Sequence, residues 1–102
     1  MMSDLYSLVV DKSNKSVHIT GELSFASVNA LLCESDKIFA TISPLTIDLS
    51  AVERSDSAGL ALLIHWIRKA KQQQQVIHFQ SMPKSMMMIA KASNLDSLIP
   101  TQ

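Results

Sequence analysis

Between Leu45 and Ile67 the spacing of apolar residues changes from one regular period to another. Leu45, Ile47 and Leu49 alternate with Thr46, Asp48 and Ser50, so one side of an extended segment faces a core and the other a polar surrounding. From Gly59 onward, Leu60, Leu63, Ile64 and Ile67 recur at helical spacing and fall within about 100° of one another, a core-facing stripe. Residues 51–56 between them read as a polar loop. A strand that feeds an amphipathic helix commits the chain to layers of sheet and helix, and strands separated by helices need crossover connections.

The flanking sequence repeats these signals. Residues 5–10 are rich in β-formers, and residues 16–20 alternate around Val17 and Ile19. The turn chemistry of residues 11–15 lies between them, so a hairpin is predicted, with Gly21 closing its second strand. From Ser24 to about residue 40, Val28, Leu31, Leu32, Ile38 and Phe39 recur at helical spacing. Pro44 precedes the alternating strand, and the four glutamines at 72–75 end the helix after it. Residues 76–80 form a short strand, Pro83 stands near the start of a third helix, and Asn94 stops that helix before Leu95. The order is β-β-α-β-α-β-α: an α/β fold with a small mixed sheet, helices on one face and the first hairpin strand at an edge. With 102 residues the chain is one domain, residues 1–102. Only 5% of residues are aromatic, so the core is to be built from Leu, Ile, Val, Met and Ala.

Several function classes are disfavoured. Nine basic residues balance nine acidic ones, and no basic stripe interleaves with aromatics, which argues against nucleic acid as a direct partner. Arg68, Lys69 and Lys71 are the densest basic cluster and read as charges at a helix C-terminus rather than a membrane contact. Asp4 and Asp11 interrupt any signal-peptide core, and no nearby apolar run is long enough to span a bilayer, so direct membrane insertion is not expected. Cys33 is the single cysteine, which excludes an internal disulfide and suits a reducing compartment. With three scattered histidines, it supplies no zinc cage. GxGxxG, Walker-lysine and paired-carboxylate motifs are missing, and His18, His65 and His78 show no catalytic spacing. The expectation is a non-enzymatic chain without cofactor or metal.

The segment from Ile47 to Ile64, IDLSAVERSDSAGLALLI, resembles the signature of STAS domains, the family of anti-sigma-factor antagonists and of the cytoplasmic tails of sulfate transporters. It joins Asp48 at a strand end, Ser50 two residues later, the apolar Val52, and then Asp56, Ser57, Ala58 and Gly59 opening a helix. Thr20 to Leu23 and Ala90 to Leu95 look familial too, so the resemblance covers nearly the whole chain. Within the family, GLALLIH at Gly59 to His65 and the Ala90-Lys91 and Asn94-Leu95 pairs are similar to the MlaB-like subunits of Mla-type ABC phospholipid transporters. That resemblance implies an accessory subunit that maintains outer-membrane lipid asymmetry by binding and supporting a MlaF-like ATPase. It further implies contact with a membrane permease through that ATPase and a cytoplasmic location peripheral to the inner membrane. The alternative is an anti-sigma-factor antagonist in a partner-switching pathway. In such antagonists a phosphorylated Ser or Thr directly precedes the glycine, where this chain has Ala58. Ser55 stands where the family commonly has an apolar residue, a change with no physical account.

Asp56 before Ser57 is a helix-capping pair, and Gly59 permits either a close backbone approach or an unusual dihedral. The resemblance implies that Ser57 presents its hydroxyl at the helix start as a partner contact. A phosphate there would gain from the helix dipole and be repelled by Asp56. Leu62 and Trp66 point away from the core stripe, with His65 beside them; either another element covers them or they form the apolar centre of an interface. Met86, Met87 and Met88 cannot all point inward, leaving core filling by Met86 or an extended contact by the others. The candidate partner-binding set is therefore Asp56, Ser57, Ala58, Leu62, His65, Trp66 and Met87, with Ser57 as a candidate phosphorylation site.

Overall fold

A computed structural model describes residues 5–100; the ends of the expected 1–102 domain, Asp4 among them, lie outside the described residues. The elements are β1 (Tyr6–Asp11), β2 (Ser16–Leu23), α1 (Val28–Ile38), β3 (Leu45–Ser55), α2 (Ser57–Gln72), β4 (Ile77–Gln80) and α3 (Lys84–Ala92), with short 3-10 turns at Phe39–Thr41 and Asp96–Leu98. Their order is the expected one. The sheet runs β1-β2-β3-β4, with β1 antiparallel to β2 at one edge and the other neighbours parallel.

Side chains close the first hairpin. The Asp11 carboxylate accepts from the backbone and side-chain nitrogens of Asn14, and Lys15 takes a φ of 52°. The Asp11 carboxyl is held below the usual range by the Asn14 hydrogen bonds. At the far end Gly21 does not close β2, as its sequence suggested. It sits at φ 85° in a register shift, and a Cβ there would lie 2.3 Å from the Leu5 carbonyl. The strand bends at this bulge and continues to Leu23.

Of the expected polar loop at residues 51–56, residues 51–55 are instead strand and Asp56 caps α2. β3 continues to Ser55 because β2 runs beside it, pairing Thr20 with Ala51 and Leu23 with Ser55. Side-chain polarity signals exposure there, while backbone pairing sets the conformation. The first helix also starts later than expected. Ser27 Oγ accepts the Ser24 amide and donates to the Glu22 carbonyl, holding residues 24–27 as a turn before Val28.

The helices cover the sheet face that carries Val17, Ile19, Leu45, Ile47, Leu49 and Phe79, each at most 1% exposed. α2 lies between α1 and α3. Its buried residues span a wider arc than the predicted stripe, because Leu62, Trp66 and Ala70 are enclosed as well as Leu60, Leu63 and Ile67. The side chain of Gln75 donates to the carbonyls of Phe39 and Ile42, tying the end of α2 to the turn after α1. Asn94 stops α3 in a left-handed conformation, φ 59°, as its position predicted.

Candidate functional site

Where β3 turns into α2, one carboxylate serves two elements. Asp56 Oδ1 accepts the amides of Ala58 at 2.9 Å and Gly59 at 3.1 Å, capping α2. Its Oδ2 accepts the Phe25 amide at 3.1 Å, from the loop that follows β2. The Phe25 bond holds the carboxyl below its ordinary range; partial burial opposes this, and the Gly59 and Ala58 amides and the nearby Arg54 reinforce it. Of the two readings of Gly59, the structure takes the close approach. A Cβ at Gly59 would lie 2.0 Å from the Leu23 carbonyl oxygen, so the first turn of α2 rests directly on the end of β2. Ser57 is exposed at the first helical position, and Ala58 is half-buried beside it.

The Asp56 contact also positions a residue that sequence reasoning missed. Phe25 is 82% exposed, although its loop is tightly tied by the Asp56 bond, by Ser27, and by the Ser24 hydroxyl donating to Glu22 at 2.9 Å. Because the backbone beneath the ring is already fixed by hydrogen bonds, less chain freedom remains to be lost when the ring is buried on binding. The position of Phe25, three residues before Val28 and seven before Leu32, continues the apolar spacing of the neighbouring helix, so nothing in the sequence signalled that it would be exposed.

Of the two readings of Leu62 and Trp66, the structure takes the covered one, as they are 5% and 3% exposed and form no outward apolar surface. α1 lies over them. Trp66 Nε1 donates to the buried Ser35 Oγ at 2.9 Å, and the ring packs on Phe39 with centroids 5.0 Å apart. What this packing leaves at the surface is a shallow groove of about 260 Å³ between α1 and α2, its lining including Val28, Leu32, Ala58, Ala61, Leu62 and His65. Of the candidate partner-binding residues, Ala58, Leu62 and His65 line this groove, while Asp56 and Ser57 precede Ala58 at the start of α2, where the Asp56 carboxylate also ties in the Phe25 loop. Met87 is not among them. It lies half-buried on α3, across α2 from the groove, while Met86 fills the core and Met88 is 65% exposed.

The opposite face of the sheet gathers polar side chains. His18 Nδ1 lies 3.0 Å from Asp48 Oδ2, and His18 Nε2 lies 3.4 Å from Ser16 Oγ. No catalytic spacing was legible in the sequence, because the register between β2 and β3 creates this array. Burial works to raise the Asp48 carboxyl, but hydrogen bonds from Ser50 and the His18 contact outweigh it and hold it below the usual range. Among the described residues no group of three or more His, Cys, Asp or Glu side chains is placed to hold a metal ion, and no helix is long and apolar enough to cross a membrane.

Comparison with known proteins places these features in a family. The family described as "Mlab, STAS domain" matches residues 8–100. No curated protein sequence matches the chain. Among solved structures, a chain of the Acinetobacter MlaFEDB complex in an ATP-bound conformation is 28% identical, with 92% of this chain and 100% of that one covered, at a TM-score of 0.66. An anti-sigma factor antagonist from Mycobacterium paratuberculosis is 25% identical over 94% of this chain and 84% of its own, at a TM-score of 0.77. The phosphorylated Bacillus cell fate determinant SpoIIAA shares the fold at 19% identity, over 95% and 90% of the two chains, with a TM-score of 0.66. With its four-stranded mixed sheet, its three helices and a family match over nearly its whole length, the chain belongs to the MlaB-like STAS domain family.

Proposed function

We propose that this chain is a cytoplasmic accessory subunit of an Mla-type ABC phospholipid transporter, docking on the MlaF-like ATPase and through it on the permease. The observation that carries this reading is the Asp56 carboxylate, which holds Phe25 out beside the start of α2 and the apolar groove. An ordered aromatic knob next to an apolar groove suits a stable protein contact. Asp56, Ser57, Ala58 and His65 line or flank it; Met87 lies elsewhere and would need a second contact. Support also comes from the Acinetobacter transporter complex, in which a chain 28% identical to this one is found. The chemistry of the site is recognition, and its contribution to transport is support of the ATPase.

A second reading, an anti-sigma-factor antagonist, draws on the Mycobacterium paratuberculosis structure. At the position where the family resemblance expects a phosphorylated hydroxyl, however, Ala58 offers only a methyl group. Ser57, next to it, is exposed and is the remaining hydroxyl at this helix start. Co-purification with the Mla-type ATPase of the same cells tests the first reading. Phe25→Ala and Ala61→Glu are expected to abolish capture while leaving the melting temperature within a few degrees of wild type, and Val9→Ala, on the far face of the sheet, to leave capture intact. Failure of the wild-type chain to capture that ATPase, together with capture of an anti-sigma-factor kinase, would establish the second reading instead.

A further inference from the structure

The sheet face turned away from the helices holds a nucleophile, a base and an orienting carboxylate in line. Ser16 and His18 are two residues apart on β2 and so share a face, and the parallel register sets His18 directly beside Asp48 on β3. Asp48 is itself fixed. The register shift after it leaves the Ser50 amide out of the ladder, and Asp48 Oδ1 accepts that amide at 2.9 Å. This directs Oδ2 at His18 Nδ1, 3.0 Å away. A carboxylate at Nδ1 selects the tautomer that carries its proton there, which leaves the Nε2 lone pair facing the Ser16 hydroxyl at 3.4 Å.

We propose that Ser16 is a base-activated nucleophile that accepts a short acyl group from an activated ester or thioester, with His18 as general base and Asp48 as positioning residue. In this step Ser16 Oγ bonds to the acyl carbonyl carbon while its proton passes to His18 Nε2. The bond from that carbon to the leaving oxygen or sulfur then breaks, and the leaving atom takes the proton from His18. Ser16 is only 8% exposed, which restricts the donor to small acyl groups. A sheet face presents ladder-bound amides, not a donor pair converging on an oxyanion, so the reaction stops at the serine ester. Ser16 is thus an acylation site rather than the centre of a hydrolase. The site shares no residue with the Phe25 and Asp56 region and is independent of any docking there.

The test is to treat the purified, folded chain with 4-nitrophenyl acetate and locate the acetyl groups by peptide mass spectrometry over time. Ser16 should acetylate on the order of a hundredfold faster than the exposed Ser57, the scale of general-base assistance. Ser16→Ala should remove the fast site, and His18→Gln should reduce Ser16 to the Ser57 rate. Asp48→Asn separates positioning from structure. An asparagine still accepts the Ser50 amide but donates to His18 Nδ1, moving the imidazole proton to Nε2, so circular dichroism should be unchanged while fast acetylation is lost. Equal rates at Ser16 and Ser57 in the wild-type chain, or fast acetylation retained in folded Asp48→Asn, would overturn the proposal.

Discussion

At Asp56 a structural role and a recognition role coincide in one side chain. Its capping role was legible, because an acid before a small polar residue at the head of an apolar period is a helix start. Its bond to the Phe25 amide was not, since nothing local links positions 31 residues apart. The depressed Asp56 carboxyl has a consequence in acid. A carboxyl whose pKa is lower folded than unfolded adds stability above its unfolded value, about 3.9, and loses it as the pH falls through its folded value. Asp56→Asn keeps a capping oxygen without the charge. The wild-type advantage over this variant, measured by urea unfolding, is therefore expected to be full near about pH 6 and to decline below about pH 4. At Gly59 the constraint is steric. Gly59→Ala drives a methyl group into the Leu23 carbonyl, and a loss of about 2–3 kcal/mol in the same assay is expected. Sequence identified Gly59 as a backbone position; only the passage of β2 beneath it reveals which constraint applies.

At the scale of elements, sequence periodicity failed where long-range pairing or side-chain hydrogen bonding outweighed local pattern. The outer half of β3 has a loop's polarity and a strand's conformation because β2 supplies its partners. The Ser24 to Ser27 turn displaces the expected start of α1 by means of hydroxyl bonds that hydrophobic spacing does not register. Helix α2 was legible as a helix but not in its full burial, since one stripe accounts for the sheet below and not for α1 lying across Leu62 and Trp66. Trp66 is therefore a bolt between helices. Trp66→Ala removes the ring from Phe39 and leaves Ser35 without its donor, and is expected to cost about 3–5 kcal/mol in thermal or chemical unfolding. Phe25→Ala, at 82% exposure, is expected to stay within about 0.5 kcal/mol of wild type. A cooperative, near-native melt for Trp66→Ala would reverse the assignment of these two aromatic residues.

Across the whole molecule, the two faces of the sheet divide the labour. One is sealed beneath three helices, whose α1–α2 end carries the knob and groove, and the other leaves polar side chains in contact with water. If the knob and groove are the docking surface, hydrogen exchange in the complex with the ATPase should slow at residues 24–32 and 56–65 and remain unchanged at β1. Slowing confined to β1 or the polar face would place the contact elsewhere. The element order was legible because each transition carries its own periodicity and stop signal, whereas the surface was not, because it is assembled from two stretches of chain far apart in sequence. The shared carboxylate of Asp56 gives that surface a mechanical character. A force applied to Phe25 is transmitted through one short linkage to the axis of α2 and, through Gly59, to the end of β2, so the ring acts as a lever seated on a stiff pivot. A partner that grips Phe25 grips the frame of the domain, and its own movements would turn the whole body instead of flexing a loop.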